Sequence, residues 1–282
     1  MIEAKKLRIA LIAGAVVLAT GVYLLPKTPQ PKEKEKQEER ASEEVKGEAF
    51  SIKRLITDSK LKLGWGADNK ISTWEKSATT SDGNLALFDS IGQAWDAAQL
   101  PGIAAWYFEQ KAEKSKLEKD WLNASYRYFD AFKSAKDSSE ADFYVGKAIN
   151  CYTKVVELNP KNLNAKTDLG VLYTEGTAEP MKGIMMLREV VAEDPKHENA
   201  NLNLGFLSMK SGQFEKAVER FKKVLEINPA RIDMYVYLGE AYVRLGNKEK
   251  AIENFEVFKN LSNDQQMIKD VDNYIASLKS EK

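Results

Sequence analysis

The sequence predicts an all-α protein in which a membrane-spanning helix precedes an array of repeated helix pairs. Three observations favour this fold class. An uncharged apolar run near the N-terminus is long enough to span a membrane, 30% of the residues are charged, and a Leu-Gly pair recurs 34 residues apart near the C-terminus. A high charged fraction is typical of solvated helix faces, and a fixed period indicates a structural repeat.

Composition excludes several classes of function. The 282 residues include 42 basic and 42 acidic side chains, so no net charge draws the chain onto nucleic acid or an anionic surface. A single cysteine, Cys151, excludes an internal disulfide and a thiolate metal cluster. A single histidine, His197, excludes a histidine-rich metal site and disfavours a histidine-dependent catalytic triad.

The N-terminal segment predicts a membrane anchor. Residues 9–25 carry no charge, and 17 residues at about 1.5 Å each span about 25 Å. Basic residues precede the run and Pro26 ends it, so we expect a tail at 1–7 and a transmembrane helix at 8–25. The alternative is a cleaved signal peptide, but neither a small-residue cleavage site nor a lipobox cysteine follows the run.

The basic residues Lys5, Lys6 and Arg8 favour a cytoplasmic tail. The body would then lie outside the cytoplasm, anchored to the inner (cytoplasmic) membrane and facing the periplasm in a Gram-negative source. Residues 26–47 follow, with six basic and six acidic side chains and almost nothing apolar. Such a segment buries too little surface to offset the entropy of ordering, so it is predicted to be a charged linker.

The C-terminal half contains a repeat with a 34-residue period. Gly205 and Gly239 each follow a leucine, an alanine lies twelve residues after each glycine, and an aromatic residue lies four after each alanine. The same spacing recurs in the preceding units, where some of these positions carry a different residue type. The positions that carry it are Ala217, Phe221, Ala251, Phe255, Gly170, Gly183, Leu187, Ala148 and Tyr152.

This spacing has a physical reason. Each unit is predicted to be two antiparallel helices, in which a small residue of the first helix faces a small residue of the second so that the axes approach closely. The aromatic side chain fills the space beside the crossing, and a proline such as Pro229 ends the unit. Residues 93–110, which include Pro101-Gly102, fit this spacing as a further unit with the Pro-Gly pair at its internal turn.

The pattern resembles the tetratricopeptide repeat (TPR), through its Leu-Gly pair, the tyrosine three residues later, the alanine, the aromatic residue and the proline. The resemblance implies a right-handed α-solenoid of about five helix pairs. We assign N-terminal capping helices to 48–84 and a C-terminal capping helix and tail to 266–282. The array at 85–265 divides into units at 85–117, 118–162, 163–197, 198–231 and 232–265.

The resemblance also implies a concave groove, lined by the first helix of each unit, where partner peptides or helices bind. Carrying the family's groove positions over gives candidates in four units. They are Leu122, Tyr126 and Phe129; Thr167, Val171 and Thr174; Leu202, Phe206 and Met209; and Val236, Glu240 and Val243. Most are apolar, which is typical of a partner surface. The alternative is that the chain's own N-terminal segment or C-terminal helix covers them.

Two further expectations concern this groove. Some TPR proteins hold a terminal carboxylate with cations, but Thr167 and Val236 stand at the cationic positions, so no such clamp is predicted. The first unit is polar at its groove positions, which are Asp89, Gln93 and Asp96.

The remaining conspicuous residues are predicted to be structural. Trp95 falls on the packed face of its unit, so a core position is favoured over an aromatic ligand cage with Trp106. Cys151 is expected to be a small buried hydrophobic residue, and His197 a turn residue. The sequence has no glycine-rich phosphate loop, zinc spacing or nucleophile elbow.

These features predict a membrane-anchored scaffold that binds other proteins or peptides through its groove, with partners that are themselves membrane-associated. The alternative is a chaperone-like accessory subunit of a translocon or envelope-assembly machine. An import-receptor topology, with the body in the cytosol, also fits the layout. No enzymatic activity, cofactor, metal, nucleic-acid partner or small-molecule substrate is expected, because the polar groups that a catalytic site needs do not converge.

Overall fold

The computed structural model describes residues 50–63, 65–80 and 84–280. These residues form thirteen α-helices and no strand. The predicted tail at 1–7, anchor at 8–25 and linker at 26–47 lie outside the described residues. Within the described part of the chain, no helix is both long and apolar enough to cross a bilayer.

The helices follow one another with short connections, so neighbours along the chain run antiparallel. The first four are α1 (Ile52–Lys62), α2 (Trp65–Thr80), α3 (Leu85–Ala97) and α4 (Pro101–Ser115). The next four are α5 (Glu118–Lys133), α6 (Ser138–Leu158), α7 (Leu163–Gly176) and α8 (Pro180–Glu193). The last five are α9 (Glu198–Lys210), α10 (Phe214–Ile227), α11 (Asp233–Arg244), α12 (Lys248–Leu261) and α13 (Gln265–Ser280).

Helix ends coincide with local sequence signals. The side chains of Asp137 and Asn247 accept the backbone N–H groups of Glu140 and Lys250, at 2.9 and 3.0 Å. Such caps satisfy donors that a helix leaves unpaired in its first turn. After α9 and α11 the chain reverses through Gly212 and Gly246, whose φ angles of 73° and 72° suit glycine.

The chain packs as two compact units, with the boundary between Val190 and Val191. In the first unit the core is formed by α1 to α7, and its largest fully buried side chains include Trp95, Tyr128 and Tyr152. In the second unit, α10 to α13 supply a separate core around Phe221 and Phe255. The prediction of an all-α repeat fold is confirmed.

Glycine and aromatic residues meet inside the helix pairs. A Cβ atom placed on Gly205 would lie 2.6 Å from a ring atom of Phe221, and one on Gly92 would lie 2.5 Å from Phe108. The aromatic ring therefore lies directly on the glycine and does not merely fill the space beside it. In the pair α7–α8 a leucine replaces the aromatic residue, and Gly170 instead approaches the backbone oxygen of Gly183.

A second recurring contact joins the two ends of a helix pair. Asn159, after α6, donates to the carboxylate of Glu118 at the start of α5, at 3.0 and 3.1 Å. Asn228, after α10, donates to Glu198 at the start of α9 at 3.0 Å. Both asparagines precede the proline that ends the unit. Each Asn-Glu contact therefore fixes where the second helix stops relative to the first.

Candidate protein-binding face

The predicted groove residues differ widely in exposure. Tyr126 is 42% exposed, whereas Thr167 and Val171 are only 1% and 6% exposed. Burial leaves those two side chains almost no surface for a partner, and the Thr167 hydroxyl donates to the Leu163 carbonyl one turn earlier at 2.8 Å. The other groove candidates are half-buried, apart from the buried Thr174: Leu122, Phe129, Leu202, Phe206, Met209, Val236, Glu240 and Val243.

In the first compact unit, Tyr126 belongs to a cluster that joins α5, α6 and α7. Its ring meets the ring of Tyr152 edge to face, with centroids 6.1 Å apart. The Tyr152 hydroxyl donates to the Asp168 carboxylate at 3.0 Å. Burial raises the pKa of Asp168 above its usual value, and the hydrogen bond from Tyr152 opposes this shift. Burial, and then the negative charge of Asp168, also raises the pKa of Tyr126.

A second carboxylate, Asp130, lies one helical turn after Tyr126. Burial raises its pKa, the charge of Asp96 adds to the shift, and Arg127 opposes it. Arg127 itself pairs with Asp96 at 2.7 Å. Within the described residues neither Asp130 nor Asp168 forms a salt bridge, so both carboxylates lack a cationic partner of their own. We call Tyr126, Asp130, Tyr152 and Asp168 the Tyr126 cluster.

The groove aromatic Phe129 continues this face along α5. Its ring stacks on that of Phe132, with centroids 6.5 Å apart and an interplanar angle of 16°. The Lys133 ammonium lies over both rings and pairs with Glu175 on α7. At this end of α5 the cation is therefore already occupied by a carboxylate.

Two of the three polar groove positions in the first repeat unit (85–117) form ion pairs within the chain. Asp89 pairs with Lys111 at 2.8 Å, and Asp96 pairs with Arg127. Gln93 is exposed. The two carboxylates of this unit therefore join α3 to neighbouring helices, and its role as part of a groove stays a prediction.

In the second compact unit the apolar groove candidates pack against the core. The Phe206 ring lies edge to face with those of Phe221 and Tyr237, at 5.4 and 4.8 Å between centroids. Phe206 is therefore partly a core residue, which the repeat spacing did not reveal. Glu240 is the one carboxyl among these candidates, and burial raises its pKa while Arg244 opposes the shift.

The structural assignments of three other residues are confirmed. Trp95 and Cys151 are fully buried, and His197 precedes α9, where its Nδ1 accepts the Ala200 N–H at 3.2 Å. Trp106 is half-buried and meets Tyr107 edge to face at 4.8 Å. The described residues contain no group of histidine, cysteine and carboxylate side chains that could hold a metal ion.

Sequence reasoning missed Tyr152, Asp130 and Asp168 as members of the face. The repeat spacing predicts Tyr152 only as the packing aromatic of its unit. A signal was present, because its counterparts Phe221 and Phe255 lack a hydroxyl group, and a phenol at a packed position needs a hydrogen-bond partner. The nearby Asp168 supplies that partner.

The helix pairs, their glycine–aromatic contacts and their asparagine–glutamate contacts define a TPR-like helical repeat protein. Comparison with known proteins supports this class. Residues 192–279 match the model of a family described as regulator of microtubule dynamics protein 1-3. The match covers the second compact unit and leaves most of the chain unassigned.

Curated relatives and solved structures agree with the class. BBSome complex member BBS4 of Bos taurus is 29% identical over 130 residues, 42% of this chain and 23% of that protein. Mitochondrial import receptor subunit TOM70 of Rattus norvegicus is 26% identical over 89 residues, 32% of this chain and 15% of that protein. The chain thus spans less than a quarter of these relatives.

Among solved structures, MamA from Desulfovibrio magneticus RS-1 is similar with a TM-score of 0.51 and 21% identity, over 66% of this chain and 99% of that one. At this identity the likeness concerns the fold alone. The relatives are named as a complex member and a receptor subunit, and neither name is that of an enzyme. This agrees with the expectation that the chain is not an enzyme.

Proposed function

We propose that the chain is a scaffold that binds segments of other proteins, and that the Tyr126 cluster is a principal contact. The observation that carries this proposal is the exposed Tyr126 ring beside two carboxylates that have no salt bridge within the described residues. A partner lysine or arginine would stack on the ring and pair with Asp130 or Asp168. Partner segments should therefore be basic and carry apolar side chains.

A photo-cross-linking residue tests this proposal directly. p-Benzoylphenylalanine in place of Tyr126 should give a small set of discrete protein adducts. The same residue in place of Leu158, which is 51% exposed on α6, serves as the control for non-specific capture. Discrete adducts at position 126 alone support the proposal. Identical adducts at both positions, or none at position 126, contradict it.

Reversing the charge of a carboxylate in the Tyr126 cluster provides an independent test of the same proposal. Asp130→Lys places a cation where the proposal needs a carboxylate, on an exposed position whose substitution leaves the core intact. Partner binding should weaken at least tenfold and lose most of its dependence on salt. Asp142→Lys, an exposed acidic residue of α6, makes the same change in net charge and should leave binding unaltered.

We further propose that residues 8–25 hold this scaffold in the inner membrane as a single-pass protein, with the body outside the cytoplasm. Support comes from the uncharged run at 9–25 and the basic residues before it. Protease added to intact spheroplasts should digest the body. Protection of the body in spheroplasts, with digestion only after lysis, would instead support the cytosolic, import-receptor-like orientation.

A second candidate is a chaperone-like subunit that binds unfolded clients through the second compact unit. Half-exposed apolar side chains on α9 and α11 favour it, notably Leu202, Met209 and Val236. Met209→Asp tests this better than a Phe206 variant, because Phe206 also packs on Phe221. Loss of binding to denatured clients in Met209→Asp, with unchanged melting, would support this role. Unchanged client binding would exclude it.

A further inference from the structure

A cleft of about 580 Å³ lies within the first compact unit, away from the Tyr126 cluster. It is bounded by helices α1 to α4, and its apolar lining includes Ile56, Phe88, Ile91 and Trp106. Its volume falls within the range of about 300–1,000 Å³ that is typical of ligand sites. The proposed scaffold function makes no use of this cleft.

The polar lining of the cleft is strongly biased towards positive charge. Lys53, Lys60 and Lys114 line it together with a single carboxylate, Glu75, so an excess of two positive charges remains. Glu75 is fully engaged, because one of its oxygens accepts from Lys60 and the other from Tyr107. A bound cation would therefore compete with Lys60 for Glu75, whereas an anion would meet no free carboxylate.

Two of these lysines line the cleft from different helices. Lys53 belongs to α1 and Lys114 to the last turn of α4. Both are exposed, and neither forms a salt bridge with any residue that the structure describes. The Lys114 ammonium lies 5.9 Å from the centroid of the Phe88 ring. The cleft thus combines an apolar lining with two lysines that have no salt bridge within the described residues.

We propose that this cleft binds an acidic segment of a partner protein, with an apolar side chain in the cleft and flanking carboxylates on Lys53 and Lys114. Charge complementarity selects an anion, and the cleft is too open to enclose most of a small molecule. An amphipathic peptide uses such a surface well, since only its apolar face needs to be buried. The site therefore has the opposite charge preference to the Tyr126 cluster.

The test selects peptides from a phage-displayed 12-residue library on the full chain and on the charge-reversed variant Lys53→Glu/Lys114→Glu. Both substitutions are at exposed positions, so folding should be retained, and circular dichroism verifies it. The control variant Lys119→Glu/Lys136→Glu makes the same change in net charge at two other exposed lysines of the first compact unit. Peptides that bind the full chain and the control but not the charge-reversed variant report on the cleft.

We expect this set of peptides to be acidic with apolar residues, and their affinity to fall at least tenfold in the charge-reversed variant. Basic versions of the same peptides should bind that variant better than they bind the original chain. A set with no excess of acidic residues would overturn the proposal. Binding of dodecanoate below its micelle concentration, sensitive to the same two substitutions but without any acidic peptide, would also overturn it by assigning the cleft to a lipid-like ligand.

Discussion

The hydroxyl group of Tyr128 on α5 donates a 2.6 Å hydrogen bond to the carboxylate of Glu109 on α4, and both side chains are buried. The same carboxylate accepts the Lys147 ammonium of α6 at 2.9 and 3.0 Å. One buried charge thus joins three successive helices. Because its negative charge and its hydrogen-bonding capacity are both satisfied, the carboxylate is tolerated in the core.

Tyr128→Phe should destabilise the protein by about 1–3 kcal/mol, because it removes a hydrogen-bond donor from a carboxylate that is only 5% exposed. Urea unfolding followed by circular dichroism measures the change. The double variant with Glu109→Leu, which removes the acceptor, separates this hydrogen bond from general packing when it is compared with the two single variants. If the effects of the two substitutions simply add, the two side chains are not coupled and the interpretation is wrong.

Gly205→Ala should destabilise the second compact unit by about 1–3 kcal/mol, because the new methyl group must displace the Phe221 ring from a fully buried position. Gly146→Ala provides a matched control inside α6, where a Cβ atom would meet nothing within 4 Å. That substitution should stabilise the protein by about 0.5–1 kcal/mol through helix propensity alone. Thermal melting of both variants measures these changes. A higher melting temperature for Gly205→Ala than for Gly146→Ala would refute the glycine–aromatic contact.

Cys151 should report unfolding of the first compact unit. It is fully buried, and burial, followed by the charge of Glu109, raises the pKa of its thiol. Very little thiolate is therefore present at pH 8, and reagent cannot reach it. The native chain should react with Ellman's reagent far more slowly than the chain in 8 M urea. Rapid reaction of the native chain would show that α6 opens locally.

Asp168→Asn should raise the melting temperature at pH 7. The pKa of Asp168 is raised in the folded protein, so folding favours its protonated form and ionisation costs stability. The contribution of Asp168 to the free energy of unfolding is most favourable below its unfolded pKa of about 3.9. This contribution is lost as the pH rises through the pKa of Asp168 in the folded protein. An asparagine can still accept the Tyr152 hydrogen bond without carrying the charge.

The advantage of Asp168→Asn over the original chain should consequently shrink as the pH is lowered towards 4. Asp142→Asn, at an exposed position of α6, is the control and should change the melting temperature little at either pH. A gain that is equal at pH 7 and pH 4 would mean that packing, and not the charge of Asp168, is responsible.

Much of the local structure follows from short-range patterns in the sequence. The 34-residue recurrence of small and aromatic residues predicts helix pairs because close helix approach needs a small residue on one helix. The turn predicted at Pro101-Gly102 lies just before this pair, at residues 98–100, and the pair itself begins α4, where the fixed φ of proline suits the first helical position. Trp95 could be assigned to the core for the same reason, since it occupies the packed face of α3.

Other features depend on which side chains three-dimensional packing brings together. The TPR resemblance implies that Thr167 lines the groove, but its side chain is buried. It also treated Phe206 as a free groove residue, although the rings of Phe221 and Tyr237 meet it. Periodicity defines the direction in which a side chain leaves its helix, and the neighbouring helix then decides how much of that side chain stays exposed.

By itself, the sequence determined the helical repeat, because apolar and small residues at fixed spacing leave few other ways to bury the helices' apolar faces. Tertiary structure alone decided the electrostatic features. Glu109 and Tyr128 are 19 residues apart, and Tyr152 and Asp168 are 16 apart, on different helices in both cases. The energy of a buried carboxylate depends on the distance and desolvation of its partners, which no single-helix pattern encodes.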